Sequence, residues 1–418
     1  MHLLRTLLVL LVAAALPVLS SRGQAIHTEA AYTGEVVGNL SGGIEQDYTY
    51  LHNIDLTATL LLERLAGWRG AHAYVYVLGS HGGEPSAFVG DAQTLSNIEA
   101  DDAWRLYEAW LEQMLFQNRL SLLAGLYDLN SEFDVIETAG LFLNSSFGIG
   151  AEFGQSGLNG PSIFPVTSLG ARARYLVTHR LYAQSAVLDG VPGDPNRPRR
   201  THVSFDPKEG ALLVGEIGYF LGSEGPQSVG DFGRRAHRAE HVSRLGGPTF
   251  GGKLAAGVWH YTSRFPRIEV ETPDLEPRLV GGSTGAYVFL EQRLTGEGGN
   301  GNGGLSCFGR AGAADPRVNR FRGSVTGGCA YRGPLRGRPD DQVGLAFSSA
   351  FNGEAYRDLP DDGGLRPTRT ETVLEGTYAA PFSESLAVQL DLQYIINPGT
   401  SLAIGNALVV GMRLQLGI

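Results

Sequence analysis

Hydrophobic and polar residues alternate in short stretches along most of this chain, and the final stretch shows the pattern most fully. In Leu408–Ile418 the residues Leu408, Val410, Met412, Leu414, Leu416 and Ile418 take every second position, with Val409, Gly411, Arg413, Gln415 and Gly417 between them. A strand sends successive side chains to opposite faces. One face here is therefore wholly apolar and the other small or polar. Strands of about 9–11 residues with this alternation are the unit of an outer-membrane barrel. The last strand of a secreted soluble domain carries the same period.

The same reading predicts strands at Thr33–Leu40, Ile54–Glu63, Ala71–Leu78, Trp104–Gln113, Leu120–Tyr127, Leu169–Thr178, Ala211–Leu221 and Lys253–Thr262. It continues through Gly285–Leu294, Leu305–Ala313, Val325–Gly333, Gln342–Ala350, Thr370–Ala379 and Leu386–Ile395. Gly/Pro/Asp-rich connections separate them, as turn chemistry requires. Long loops on one side and short turns on the other are expected of such a barrel. Gly79–Asn97 reads as a polar loop, and Pro226–Arg244 as a connection carrying Arg234, Arg235, Arg238 and Arg244. Asp128–Phe147 breaks the period of two. It is acidic and aromatic, with a helical turn expected around Phe133–Phe142, and reads as a loop folded into something.

The N-terminus joins Arg5 to an apolar run, Leu7–Leu19, and to Gly23-Gln24-Ala25. That is the layout of a secretory signal peptide, which places the export leader at 1–25 and the barrel domain at 26–418. No later stretch is apolar for the 18 residues a spanning helix needs, so a membrane location has to come from strands. Glycine is abundant (58 of 418) while 43% of residues are hydrophobic, which fits tight turns and excludes low-complexity disorder. The formal charge of −10 argues against nucleic acid as a partner. Basic residues are nearly all Arg, the exceptions being Lys208 and Lys253.

Candidate chemistry follows from parity. Arg172, Arg174, Glu216, Glu371, Glu375, Asp391 and Arg413 fall on the polar faces of their strands, and Asp128, Asn130, Glu132 and Asp134 on the irregular segment. Such groups can replace water around the polar groups of a passing solute through charge-assisted hydrogen bonds. Trp110 and Trp259 are candidates for stacking on a ring-shaped solute, with an interface-girdle role weighed against it for Trp259. Glu371 and Glu375 also raise the reading of an exported all-β glycosidase with paired carboxylates, but at i, i+4 on one strand they line one wall. His237 and His241 lack a third ligand, so neither a metal nor a cofactor is expected. Cys307 and Cys329 lie on consecutive strands, on the faces opposite Arg310 and Arg332, so their Cβ atoms could meet across the pair. Export permits a disulfide; two separate small buried residues remain the alternative.

Several segments, in order, resemble the carbohydrate-selective porin family of the OprB type in bacterial outer membranes. They are WLEQ (110–113), AGLYDLN (124–130), Glu132-Phe133, LFLNSSF (141–147), GEIGY (215–219), GVW (257–259) and LQYIINPG (392–399). The resemblance implies an all-β, sixteen-stranded antiparallel transmembrane barrel with an inward-folded loop segment, passing small sugars passively. With it comes the expectation that Asp128–Asn144 faces Arg172 and Arg174 across a constriction. The partners implied are small sugars, outer-membrane lipid and the barrel-assembly machinery; monomer or homo-oligomer stays open. A general or anion-preferring diffusion pore and, more remotely, the glycoside hydrolase stay open beside it. The family commonly ends in an aromatic residue, whereas this chain ends in Ile418.

Overall fold

The computed structural model describes residues 25–201, 203, 208–222, 225–231, 248, 250–269, 277–296, 304–359 and 365–417. The leader read at the N-terminus lies outside these residues, apart from Ala25. So do Ile418 and all of the singled-out Arg and His residues of 226–244.

Sixteen strands close on themselves. They are β1 (Ile26–Gly43), β2 (Tyr48–Leu61), β3 (Ala71–Gly82), β4 (Ala103–Leu115), β5 (Leu120–Tyr127), β6 (Ser168–Leu176), β7 (Leu181–Asp189) and β8 (Ala211–Phe220). The second half adds β9 (Gly252–Pro266), β10 (Leu279–Arg293), β11 (Gly304–Ala314), β12 (Phe321–Arg332), β13 (Gln342–Asn352), β14 (Thr370–Ser383), β15 (Leu386–Ile396) and β16 (Gly405–Gly417). Each strand pairs antiparallel with its sequence neighbours, and β1 pairs with β16. Closure leaves no edge, which is what lets strands sit in hydrocarbon without unpaired backbone groups.

The period of two sets the faces. Met412 is half exposed on the outer face, while Arg413 beside it is buried and bonded to Glu35 at 3.0 Å across the β1–β16 seam. On β9, Leu254 and Val258 are exposed and Ala255, Trp259 and Tyr261 are buried. The outer face is apolar, with exposed Tyr48, Tyr50, Trp104 and Tyr394 near one rim and Trp68, Tyr219 and Tyr331 near the other. Aromatic belts at both interfaces are the expected anchors.

Four local expectations change. β7 carries no signal strong enough to have been read as a strand. Its outer face alternates Leu181, Ala183, Ser185 and Val187, and two small residues there flatten the contrast with Tyr182 and Gln184. β1 is much longer than Thr33–Leu40. β2 ends at Leu61, because Leu62–Ala66 winds into a short helix closed by Gly67 at φ 70°. Finally, the division into long loops and short turns has an exception: the connection 221–251 between β8 and β9 lies on the same side as the short turns 116–119, 177–180 and 384–385.

Candidate permeation site

The 128–167 connection between β5 and β6 is built from short helical turns. Asp128 caps Leu129–Ser131 by accepting from the Asn130 amide at 2.8 Å, and Asn144 caps Ser145–Phe147 by accepting from the Ser146 amide at 3.1 Å. Further turns form at Thr138–Leu141 and Ala151–Gly154. Phe133, Phe142, Phe147 and Phe153 are all buried, and Phe153 stacks on Trp259 with ring centroids 5.1 Å apart. Burying these rings supplies an apolar drive, but apolar packing leaves the segment's polar backbone groups to be satisfied.

Strand carboxylates satisfy them. Glu216 of β8 accepts from the Asp134 amide at 2.9 Å, and Glu291 of β10 from the Thr138 amide at 3.0 Å. Glu375 of β14 accepts from the amides of Leu143 and Asn144 at 2.6 and 3.0 Å. In the other direction, Lys253 of β9 donates to the Val135 carbonyl at 2.7 Å, and Gln389 of β15 to that of Leu141 at 2.7 Å. These partners lie on strands spread round the barrel.

A second segment, 83–102 between β3 and β4, is held the same way. Glu371 accepts from the Ala92 amide at 2.8 Å, and also from that of Gly399, in the connection between β15 and β16, at 2.6 Å. Glu35 accepts from the Ser96 hydroxyl at 2.6 Å, Gln393 donates to the Leu95 carbonyl at 2.9 Å, and Arg413 donates to Asn97 at 2.7 Å. The sequence reading took 79–97 for a polar loop, and here it is corrected. β3 itself runs to Gly82, and Val89, Leu95 and Ser96 are buried.

Two ionic clusters complete the arrangement. Arg172 donates to both oxygens of Glu132, at 2.6 and 2.8 Å, and to Glu112 at 3.1 Å. Arg174 meets Glu132 at 2.8 Å and Gln184 at 2.8 Å. Arg310 of β11 bridges Asp134 at 2.6 Å and Glu152 at 2.8 Å, and Ser324 donates to Glu152. Charge-assisted bonds of this kind are the stronger ones. Burial raises Asp134 to about 6, outweighing the pull of Arg310. Burial likewise raises Glu99 to about 7, against the donors of Ser86.

Most residues read from the sequence thus come together, but not as an exposed polar row. Glu132, Asp134, Arg172, Arg174, Glu216, Glu371, Glu375, Asp391 and Arg413 are all buried. Asp128 and Asn130 are half-buried; Asp128 accepts from Tyr107 at 2.7 Å and Asn130 donates to the carbonyls of Phe133 and Gly148 at 3.1 Å. Asp391 accepts from Gln393 at 3.0 Å. Trp110 stacks on Tyr74 at 5.0 Å. Trp259 is buried on Phe153, away from any girdle. Of the Asp128–Asn144 segment expected to face Arg172 and Arg174, it is Glu132 that takes both, while Asp134 takes Arg310. Sequence reasoning missed Glu35, Glu112, Glu152 and Glu291 and used Arg310 for parity alone; strand parity was the available signal for all of these except Glu152. Cys307 and Cys329 are directly paired in register and joined as a disulfide. Among the described residues no three His, Cys, Asp or Glu side chains gather as a metal site.

A family model described as carbohydrate-selective porin, OprB family, matches residues 45–417. Porin B of Pseudomonas aeruginosa is 23% identical over 416 residues, covering 92% of this chain and 86% of that protein. The high-pH structure of Pseudomonas putida OprB superposes with a TM-score of 0.79 at 21% identity, covering 94% of each chain. In-vitro-folded OmpT, an outer membrane protein of Vibrio cholerae, superposes with a TM-score of 0.51 at 9% identity, covering 95% of this chain and 99% of that one.

Proposed function

Because this chain belongs to the carbohydrate-selective porin family of the OprB type, we propose that its two wall-anchored segments form the fixed lining along which small sugars diffuse. The chain is an outer-membrane channel and not an enzyme, and the glycosidase reading is set aside with it. Glu371 and Glu375, the pair that raised it, each hold backbone amides. A passive channel needs no nucleophile. It needs a polar lining whose geometry does not relax around each solute, so that binding stays weak enough for release.

The observation that carries the proposal is the direction of the anchoring bonds. Wall carboxylates accept from backbone amides of both segments, so the segments' paths are set by several strands at once. In this reading Glu132, Asp134, Arg172, Arg174, Glu216, Glu371, Glu375, Asp391 and Arg413 hold the lining. Asp128 and Asn130, half-buried at its edge, meet the sugar, whereas Trp110 is buried against Tyr74 and serves packing. Residues 1–25 act as the export leader, and the barrel-assembly machinery inserts 26–418. Liposome swelling across mono- and disaccharides is the test. A steep fall in rate with sugar identity at equal size supports a selective lining, whereas rates that track size alone favour a general diffusion pore.

A further inference from the structure

The Cys307–Cys329 disulfide sits on the lipid side of the wall. On β11, Arg310 is buried and ion-paired inside, so Cys307, Gly309 and Ala311 face outward. On β12, Thr326 is buried against Ser348, and Val325, Gly327, Cys329 and Tyr331 take the outer face. The neighbour of Cys329 on β13 is Leu345, one of the most exposed leucines of the outer surface at 71%. Tyr331, two residues nearer the strand end, lies about 7 Å further along the strand at the level where interface aromatics sit. The sulfurs point sideways into the acyl chains and not toward water at either rim.

We propose that this bond is made before the barrel enters the membrane, by a thiol–disulfide oxidoreductase acting on the exported, still unfolded chain. A thiolate must attack the oxidant's disulfide along the S–S axis. In the folded wall that thiolate would have to form in hydrocarbon, where an isolated charge is strongly disfavoured, and a water-soluble enzyme cannot reach it. Before insertion neither obstacle exists. The two cysteines are 22 residues apart, so the loop closes at modest entropic cost without the rest of the barrel. One Cys thiolate attacks the oxidised enzyme to give a mixed disulfide. The second displaces the enzyme's thiolate, and the two electrons and two protons leave with the enzyme as its dithiol. The chain contains only these two cysteines, so the class of reaction is dithiol oxidation, with no isomerisation to follow.

The test uses the full mature chain, reduced and prepared in two forms: unfolded in urea, and folded into liposomes. Both are exposed to oxidised glutathione, and thiols are counted by a maleimide–polyethylene glycol gel shift after SDS denaturation. The unfolded chain should oxidise readily and the folded barrel at least about 100-fold more slowly, since access then waits on opening of the hairpin. Oxidised barrel in the same liposomes, challenged with a membrane-impermeant phosphine, provides the converse arm and serves even where the reduced chain folds poorly. It should keep its disulfide until unfolded. In cells, pulse-labelling should show crosslinked, heat-unmodified chain before folded barrel. Comparable oxidation or reduction rates in the folded and unfolded forms, or folded barrel that is first reduced and later oxidised, would overturn the proposal.

Discussion

Asp134 and Arg310 are 176 positions apart in sequence and meet at 2.6 Å, joining the 128–167 segment to β11. Arg310 also holds Glu152, so one guanidinium fixes two points of the same segment. Removing it leaves two buried carboxylates without their cation, a change that typically costs about 3–5 kcal/mol. Arg310→Ala is therefore expected to loosen the segment while leaving the barrel closed. Single-channel recording should show flickering current and a loss of block by added sugar. Asp134→Ala, which leaves Arg310 bonded to Glu152, should be milder. Equal, wild-type traces for both variants would contradict the anchoring role.

Acidity should act on the 83–102 segment through Glu99. Its carboxyl accepts from the Ser86 amide and hydroxyl at 3.1 and 2.8 Å. Burial, with Glu84 and Glu35 nearby, lifts it from the ordinary 4.5 to about 7 in spite of those donors. Asp91 in the same segment is pushed well upward by burial and by Glu371 and Glu99. An acid whose folded pKa is raised favours the fold in its protonated form. Its penalty is absent below 4.5 and grows as pH rises through about 7. The segment should thus be most resistant to proteolysis in mild acid and less so at neutral and higher pH. Glu99→Gln, which keeps an acceptor for Ser86, should flatten that profile; an unchanged pH profile in this variant would remove Glu99 as the cause.

What was legible in the sequence was parity. The period of two placed Arg172, Arg174, Glu216, Glu371, Glu375 and Arg413 on the correct faces, because a strand fixes a side chain's face without reference to its partners. The partners themselves were not legible. Which carboxylate Arg310 meets depends on the path of an irregular segment whose turns carry no period. The inward course of 83–102 was hidden for a related reason: Val89 and Leu95 are its buried anchors, but six positions apart in a polar stretch they make no recognisable face. Nor could composition show that Glu216 and Glu375 face backbone amides instead of solute, since the donors come from a segment far away in sequence.

Glycine at 312 allows the Arg310 cluster to form. A Cβ built there would lie 1.8 Å from the Glu152 carboxylate oxygen, well inside any contact that atoms tolerate. Gly312→Ala adds a single methyl group and no charge, yet should push Glu152 away and weaken its bond to Arg310. The expected outcome is a conductance phenotype resembling Arg310→Ala in a barrel of normal yield and heat-modifiability. A variant indistinguishable from wild type in sugar block would mean that Glu152 can swing aside without loosening the segment.

Met412 and Arg413 are neighbours on β16 with opposite obligations. Met412 is half exposed to the acyl chains, and Arg413 is buried against Glu35 at 3.0 Å at the seam that closes the barrel. Met412→Arg puts a charge on the lipid face, at a cost of roughly 2–4 kcal/mol near the midplane. Arg413→Met strands Glu35, which is buried, for about 3–5 kcal/mol. Each single variant should lower the yield of heat-modifiable barrel. The double exchange restores one Arg and one Met to the strand, but each on the wrong face. A one-residue slip of β16 would return both to their preferred sides, yet it would also turn every other side chain of the strand over, exposing Ala407 and Val409 in place of Leu408 and Val410 and breaking the Gln389↔Arg413 register with β15. The double variant should therefore assemble no better than the worse single one. Recovery to wild-type yield would show that the seam's register is not fixed by the face pattern of this strand.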